Sequence, residues 1–304
     1  MKLSSSFILL TLFVNHSLFA AGAQAPQNSC VPKVSTSTLE ALVRRYVPEG
    51  NDGLDASSVI YVSDSKGKIV QSLFEKKPHR YQAIASTQKI LTAYTAFKLG
   101  SMNAKATFLE SDLFYDAQGN RAKHQDNVTT VQVGQSLTLS AWMRTLIFQS
   151  SNGAGFALAR GSAGNVRSFM GKMNEEALKI LGTSTRSYFQ NPAGLTDSDS
   201  DYRFAPNATV QKSSPHDLAQ IAATIMADSG FRSALEKSGI AGAQSGYLYK
   251  LGYTRAAGKT IVSTFPRSGR CSDYRISFTA FGSVASSQFE NFANLYQQLR
   301  SQLQ

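Results

Sequence analysis

Hydrophobic positions along the chain fall into segments whose period changes from one to the next. Leu39, Leu42, Val43 and Tyr46 recur at helical spacing behind Ser37-Thr38-Leu39-Glu40, a capping-box pattern, and Pro48 supplies a stop. This predicts a short opening helix. Val59-Ile60-Tyr61-Val62 and Ile69-Val70-Gln71-Ser72-Leu73-Phe74 flank the turn residues Asp64-Ser65-Lys66-Gly67 and predict a β-hairpin. An apolar helix is expected from about Ser86 to Leu99, with Gly100 at its C′ position. Residues 101–135 are polar and mixed, with no clear period. Helical patterns return at about 139–149, 152–160 and 165–181, the last closed by Gly182, and again at 214–228 before Gly230. Strand-like runs follow near 245–252, 259–265 and 274–284, and a closing amphipathic helix carries Phe289, Phe292, Leu295, Tyr296 and Leu299. The order of strands, helices, strands and a helix predicts an α+β fold in which a helical block, roughly residues 100–210, is inserted into a sheet domain. No internal repeat or low-complexity linker interrupts it.

Composition agrees with a globular domain that can bury a sizeable core: 304 residues, 42% hydrophobic and 17% charged. The 31 Lys plus Arg outnumber the 20 Asp plus Glu, and a formal charge of +11 points to an anionic partner or matrix. The amino terminus narrows the choice. Lys2, the apolar run Phe7 to Val14 and the small residues Ala20-Ala21-Gly22-Ala23-Gln24-Ala25 have the layout of a secretory signal. Residues 1–25 are therefore expected to be removed on export, leaving 26–304 as one domain. The apolar core of the leader is much shorter than the roughly 20 residues of a membrane-spanning helix, so no stable membrane anchor is expected. Export sets nucleic acid aside as a partner and favours an anionic envelope polymer.

The same compartment permits Cys30 and Cys271 to pair, and they are the candidate disulfide. Neither sits at a predicted helix start beside a histidine, as an activated thiol would. The four histidines form no Cys/His cluster at ligand spacing, so neither a metal nor a cofactor is expected. Gly252 to Thr260 also misses the P-loop pattern, because five residues rather than four separate its glycines.

A serine nucleophile needs a base within hydrogen-bond reach, and Ser-x-x-Lys on a helix supplies one. Of three matches, Ser63/Lys66 and Ser65/Lys68 fall in the hairpin turn, whereas Ser86/Lys89 opens the apolar helix. Only that pair gains a helix N-terminus, whose N–H groups would favour an oxyanion. Burial beside another cation would favour the neutral, proton-accepting amine of Lys89. S-x-x-K belongs to a signature with S-D-N and K-T-G elements. Ser150-Ser151-Asn152 lies at a predicted helix end, and Lys250-Leu251-Gly252 lies on a predicted strand where Gly252 lets a ligand approach the backbone.

Together with Ala85-Ser86-Thr87-Gln88-Lys89, Phe189-Gln190-Asn191-Pro192-Ala193-Gly194-Leu195, Ser213-Ser214-Pro215-His216-Asp217-Leu218-Ala219 and Lys250 to Gly258, these motifs make the chain resemble the low-molecular-mass penicillin-binding proteins of the serine D-alanyl-D-alanine carboxypeptidase and endopeptidase family. The resemblance covers nearly the whole exported chain. It implies a β-lactamase/transpeptidase-like fold, a five-stranded antiparallel sheet flanked by helices with an all-helical subdomain, and a site in the cleft between them. It implies Ser86 as the acylated nucleophile, Lys89 as base, Ser150 and Asn152 as proton relay and substrate holder, and Lys250 as second cation. Leu251, Gly252, Tyr253 and Thr254 would line the substrate, with the N–H groups of Ser86 and Tyr253 as oxyanion donors. Peptidoglycan stem peptides would be substrates, β-lactams would acylate Ser86, and the protein would work in the periplasm.

Two departures qualify the resemblance. Leu251 stands where the family has a hydroxyl that holds a carboxylate, and residues 281–299 lack the arginine of some carboxypeptidases. Both fit cleavage of an internal crosslink better than trimming of a free terminus, unless Arg255, Arg267 or Arg270 compensates. A class A β-lactamase would need a glutamate in an E-x-x-L-N context, which the chain lacks. The alternative from another class is a non-catalytic peptidoglycan-binding protein with a decayed site. The sequons at Asn127 and Asn207 read as accidental, and His79, His124 and His216 as surface or capping residues.

Overall fold

The computed structural model describes residues 30–47, 56–112, 131–195, 211–254, 256–283 and 290–304. The expected leader, both sequons, His124 and Arg255 lie outside them. The described chain forms β1 (Ser57–Ser63), β2 (Ile69–Lys76), β5 (Leu248–Thr254), β6 (Gly258–Pro266) and β7 (Arg275–Ser283) in one antiparallel sheet of order β2-β1-β7-β6-β5. Its helices are α1 (Thr36–Tyr46), α2 (Lys89–Leu99), α3 (Leu139–Phe148), α4 (Asn152–Ala163), α5 (Val166–Leu181), α6 (Pro215–Ala227), α7 (Ser229–Lys237) and α8 (Glu290–Leu303).

Strand β1 shows why the sheet is central. All seven of its residues are buried, because it pairs on both sides and is covered on both faces. Val59 and Tyr61 pack on Ala219 of α6, while Ile60 and Val62 join the layer formed by α1 and α8. A second and larger core gathers residues of α2 to α7 against Leu248, Val262 and Phe281 of the sheet. The sheet is thus sandwiched, with the helical block on one face and the two terminal helices on the other. The predicted hairpin forms as expected, with Gly67 at φ +79 in its turn. Glycine is needed there because an added Cβ would strike the backbone of α6 at Ala223 and Thr224.

Several boundaries differ from the sequence reading. The cap of α1 is Ser35, whose Oγ accepts from Thr38 N at 3.1 Å, while Glu40 of the presumed capping box pairs with Arg44. Gly100 caps α2 in an extended, not a left-handed, conformation, and a turn closed by Ala104 N donating to the Ser101 carbonyl at 2.8 Å leads on to a short strand. That strand, β3 (Lys105–Thr107), pairs with β4 (Ser136–Thr138), a two-stranded ribbon hidden in the aperiodic region. Gly230 does not close α6. Asp228 caps a new helix there by accepting from Phe231 N, and Gly230 lies inside α7.

Cys30 and Cys271 are joined by a disulfide across a separation of 241 residues, which ties the chain before α1 to the 3-10 turn Gly269–Cys271 between β6 and β7. Ser268 at that turn also holds the carbonyl of Gln304, through its backbone N–H at 3.0 Å and its hydroxyl at 2.7 Å. A cross-link over so long a loop restricts the unfolded chain strongly. Replacing both cysteines by serine is expected to cost roughly 2–5 kcal/mol of folding free energy, measured by denaturant unfolding beside the oxidised parent.

Candidate active site

Ser86 does not sit in the α-helix itself. Ala85–Gln88 forms a 3-10 turn that feeds into α2 at Lys89. In such a turn residues i and i+3 eclipse, which stacks Ser86 over Lys89 more directly than an α-helix would. Lys89 Nζ lies 2.7 Å from Ser86 Oγ. Ser86 is also the one residue between 83 and 96 that is neither buried nor screened by its neighbours' packing: every other residue of that run is buried. The Ser86 hydroxyl is therefore the partly exposed point of an otherwise buried segment.

Lys89 is fully buried, and its amine gathers oxygen atoms from a second element. Besides Ser86 Oγ, Nζ donates to the Ser150 carbonyl and to Asn152 Oδ1, each at 2.7 Å, with Ser150 Oγ at 3.4 Å. Ser150 occupies the junction of α3 and α4 with φ +59, a left-handed conformation that is uncommon for a residue with a side chain. That conformation lets one residue use both its carbonyl and its hydroxyl. Asn152 starts α4, and Ser151 caps the helix through Ala154 N at 3.2 Å.

Lys250 completes the set. It is 4% exposed, and its Nζ donates to Ser150 Oγ at 2.8 Å and to the Leu251 carbonyl at 2.7 Å. Burial pulls this amine down to about 7 from an ordinary 10.5. Ser150 is consequently the bridge between the two lysines. The structure brings together Ser86, Lys89, Ser150, Asn152 and Lys250, from three separate stretches of sequence.

The residues expected to line a substrate fall differently. Alternation along β5 puts Lys250, Gly252 and Thr254 on the buried, helical side of the sheet. Gly252 touches the reactive turn: an added Cβ would lie 2.7 Å from Ser86 N and 3.0 Å from Ala85 Cβ. Thr254 Oγ1 instead caps the β5–β6 turn, accepting from Ala257 N at 3.1 Å. Leu251 packs with Tyr249 against the core of α1 and α8, and Tyr253 is 61% exposed. Arg267 follows β6 five residues past Val262, the partner of Lys250, roughly 17 Å down the strand at 3.4 Å per residue. Arg270 lies beyond it in the disulfide turn, so neither compensates for Leu251 at the site.

Sequence reasoning missed the supports of this site. Thr260 Oγ1 donates to the Ile84 carbonyl at 3.1 Å, Gln88 Nε2 donates to the Asn191 carbonyl, and Thr92 Oγ1 donates to the Pro192 carbonyl at 2.9 Å. Only the turn-forming Asn-Pro-x-Gly string at 191–194 signalled one of them. Asp217 secures the adjoining segments. Burial alone would raise its carboxyl, but hydrogen bonds from His216, Ser187, Thr185 and Tyr81 outweigh that and hold it at about 2. Among the described residues, no group of three or more His, Cys, Asp and Glu is gathered as a metal would require.

The depressed Lys250 amine has a stability consequence. Between pH 7 and 10.5 the unfolded chain holds a proton that the folded chain has released, so this group makes stability rise with pH over that window. Below pH 7 the buried amine is charged in the folded chain and the full cost is carried. Lys250→Met is therefore expected to raise the melting temperature, relative to the parent, more at pH 6 than at pH 10, as thermal melts at the two values will show.

Known proteins place the chain in context. A family model described as D-alanyl-D-alanine carboxypeptidase matches residues 46–271. The D-alanyl-D-alanine carboxypeptidase DacA of Escherichia coli strain K12 is 27% identical over 204 residues, which take in 66% of this chain and 46% of that protein. The chain thus spans about half the length of this curated relative. The crystal structure of D-alanyl-D-alanine carboxypeptidase from Mycobacterium tuberculosis H37Rv has a TM-score of 0.59 at 21% identity, covering 90% of this chain and 96% of that one. Penicillin-binding protein D2 from Listeria monocytogenes, in its cefotaxime-bound form, has a TM-score of 0.57 at 16% identity, covering 81% and 95%. These likenesses show a shared penicillin-binding-protein fold. With the family model spanning most of its length, the chain belongs to the D-alanyl-D-alanine carboxypeptidase family of serine peptidases.

Proposed function

We propose that this protein is an exported serine D,D-peptidase that cleaves D-alanyl bonds in peptidoglycan stem peptides through an acyl-Ser86 intermediate. The observation that carries the reading is the chain Ser86 Oγ, Lys89 Nζ, Ser150 Oγ and Lys250 Nζ, with links of 2.7, 3.4 and 2.8 Å. Lys89 takes the hydroxyl proton as Ser86 Oγ attacks the D-alanyl carbonyl carbon, and the backbone N–H groups of Ser86 and Tyr253 receive the oxyanion. Ser150 passes a proton to the departing amine as the C–N bond breaks and is replenished from the lysines. Water then attacks the acyl ester, returning its proton along the same path. Strand β5 is an edge of the sheet, so an extended peptide can pair along its open side.

Two features refine the substrate. The side chain of Leu251 is committed to the core of α1 and α8 and offers no hydroxyl to a terminal carboxylate. This favours the D-Ala-linked crosslink, an internal bond, over a free D-Ala-D-Ala end. The high positive charge suits an anionic wall polymer, and the leader pattern with the disulfide suits the periplasm. No described helix is long and apolar enough to cross a membrane.

Incubation with a β-lactam is expected to add one drug mass to the intact protein, and Ser86→Ala to abolish both this adduct and at least about 10⁴-fold of turnover. Absence of the adduct together with absence of peptide hydrolysis would leave a wall-binding protein. Purified crosslinked muropeptide dimers are expected to be turned over faster than pentapeptide monomers, and a clear preference for the pentapeptide would reverse the substrate assignment.

A further inference from the structure

The residue before the nucleophile is in an unusual state. Ala85 is fully buried and has φ +50, a left-handed conformation that a residue with a Cβ adopts only when its surroundings enforce it. Two elements meet its flanks. Gly194, at φ +88, lies so close that an added Cβ would overlap the Ala85 carbonyl, 2.7 Å from its carbon and 3.3 Å from Ser86 N. The loop carrying Gly194 is made rigid by one buried carboxamide: Asn191 Oδ1 accepts from the N–H groups of Ala193, Gly194 and Leu195 at 3.1, 3.0 and 3.2 Å, and Asn191 Nδ2 donates to the Leu195 carbonyl at 2.7 Å. Gln88 and Thr92 then bind the carbonyls of Asn191 and Pro192, fastening the loop to the nucleophile's own helix. From β6, Thr260 Oγ1 holds the preceding carbonyl, that of Ile84.

We propose that the loop 191–195 and Thr260 form a clamp that sets the Ala85–Ser86 peptide, so that Asn191, Gly194 and Thr260 are positioning residues for the Ser86 backbone N–H. The inference rests on the acyl-Ser86 reading above. If Ala85 relaxed out of the left-handed region, its peptide would rotate and the N–H of Ser86 would swing with it. A donor aimed at an oxyanion acts on the transition state and scarcely on the ground state. The clamp therefore governs the rate of acylation and not the affinity for the unreacted ligand. That separates it from a merely structural role, which would lower stability or affinity without this split.

Time-resolved intact mass with a β-lactam and with a D-alanyl ester gives the acylation rate and the ground-state affinity together. A boronic acid that mimics the tetrahedral state reports on the oxyanion donors directly. Gly194→Ala and Asn191→Ala are expected to slow acylation about 100-fold, to weaken boronate binding in parallel, and to leave ground-state affinity within about threefold. Asn191→Asp keeps the acceptor for the three N–H groups and is expected to recover most of the rate. Thr260→Val leaves the loop intact, keeps the test valid if a loop variant does not fold, and is expected to slow acylation at least fivefold. Acylation at the parent rate in the folded variants, or a loss confined to ground-state affinity, would overturn the clamp alone. A parent protein acylated by neither reagent would overturn the acyl-Ser86 reading and the clamp with it.

Discussion

A lysine amine with no access to solvent must have its hydrogen bonds supplied by protein, and most of this architecture can be understood as the means of doing so for Lys89. The 3-10 turn supplies Ser86, the left-handed junction of α3 and α4 supplies the Ser150 carbonyl, and the first turn of α4 supplies Asn152. Each of these three partners presents an uncharged oxygen to the amine. Lys250 meets the same constraint with a hydroxyl and a carbonyl, and its burial lowers its affinity for a proton.

Strain and rigidity are distributed to match. Among the described residues three non-glycine positions have positive φ, and two of them, Ala85 and Ser150, adjoin the reactive groups. Such conformations persist only where neighbours overdetermine them. At Ala85 the neighbours are the close-packed Gly194 and Gly252, and at Ser150 they are the amines of Lys89 and Lys250.

This explains what was legible in the sequence. Alternating and helical periods revealed the hairpin, the helical block and the last strands, because those elements bury one face each and repeat accordingly. Ser86 and Lys89 were recognisable since their spacing places them on one face, and Ser150, Asn152 and Lys250 because their order along the chain matched a known set. Thr260 was not recognisable as part of the site, because its partner is a backbone carbonyl far away in sequence, and the Asn191 string announced a turn without showing which element the loop braces. A glycine after an apolar run marked both helix stops, since Gly100 caps α2 and α6 ends before Gly230, but it did not show that Gly100 is extended or that Gly230 sits in α7 behind the Asp228 cap. The β3–β4 ribbon is too short, at three residues a side, to show any period.

Strand order carries a consequence for how such a protein comes into being. Strand β1 lies between β2, which follows it at once, and β7, the last strand of the sheet. A chain made or threaded from its amino terminus completes the β1–β2 hairpin early, yet the other edge of β1 has no partner until nearly everything else has emerged. During that interval a strand of wholly apolar and hydroxyl-bearing residues presents open backbone groups and both faces to its surroundings. Of the two terminal helices whose packing covers one face of the sheet, α1 precedes β1 but α8 follows β7, so that layer is completed only after the last strand. The strand order that leaves Lys250 on an edge strand therefore also leaves one edge of β1 unpaired until β7 arrives.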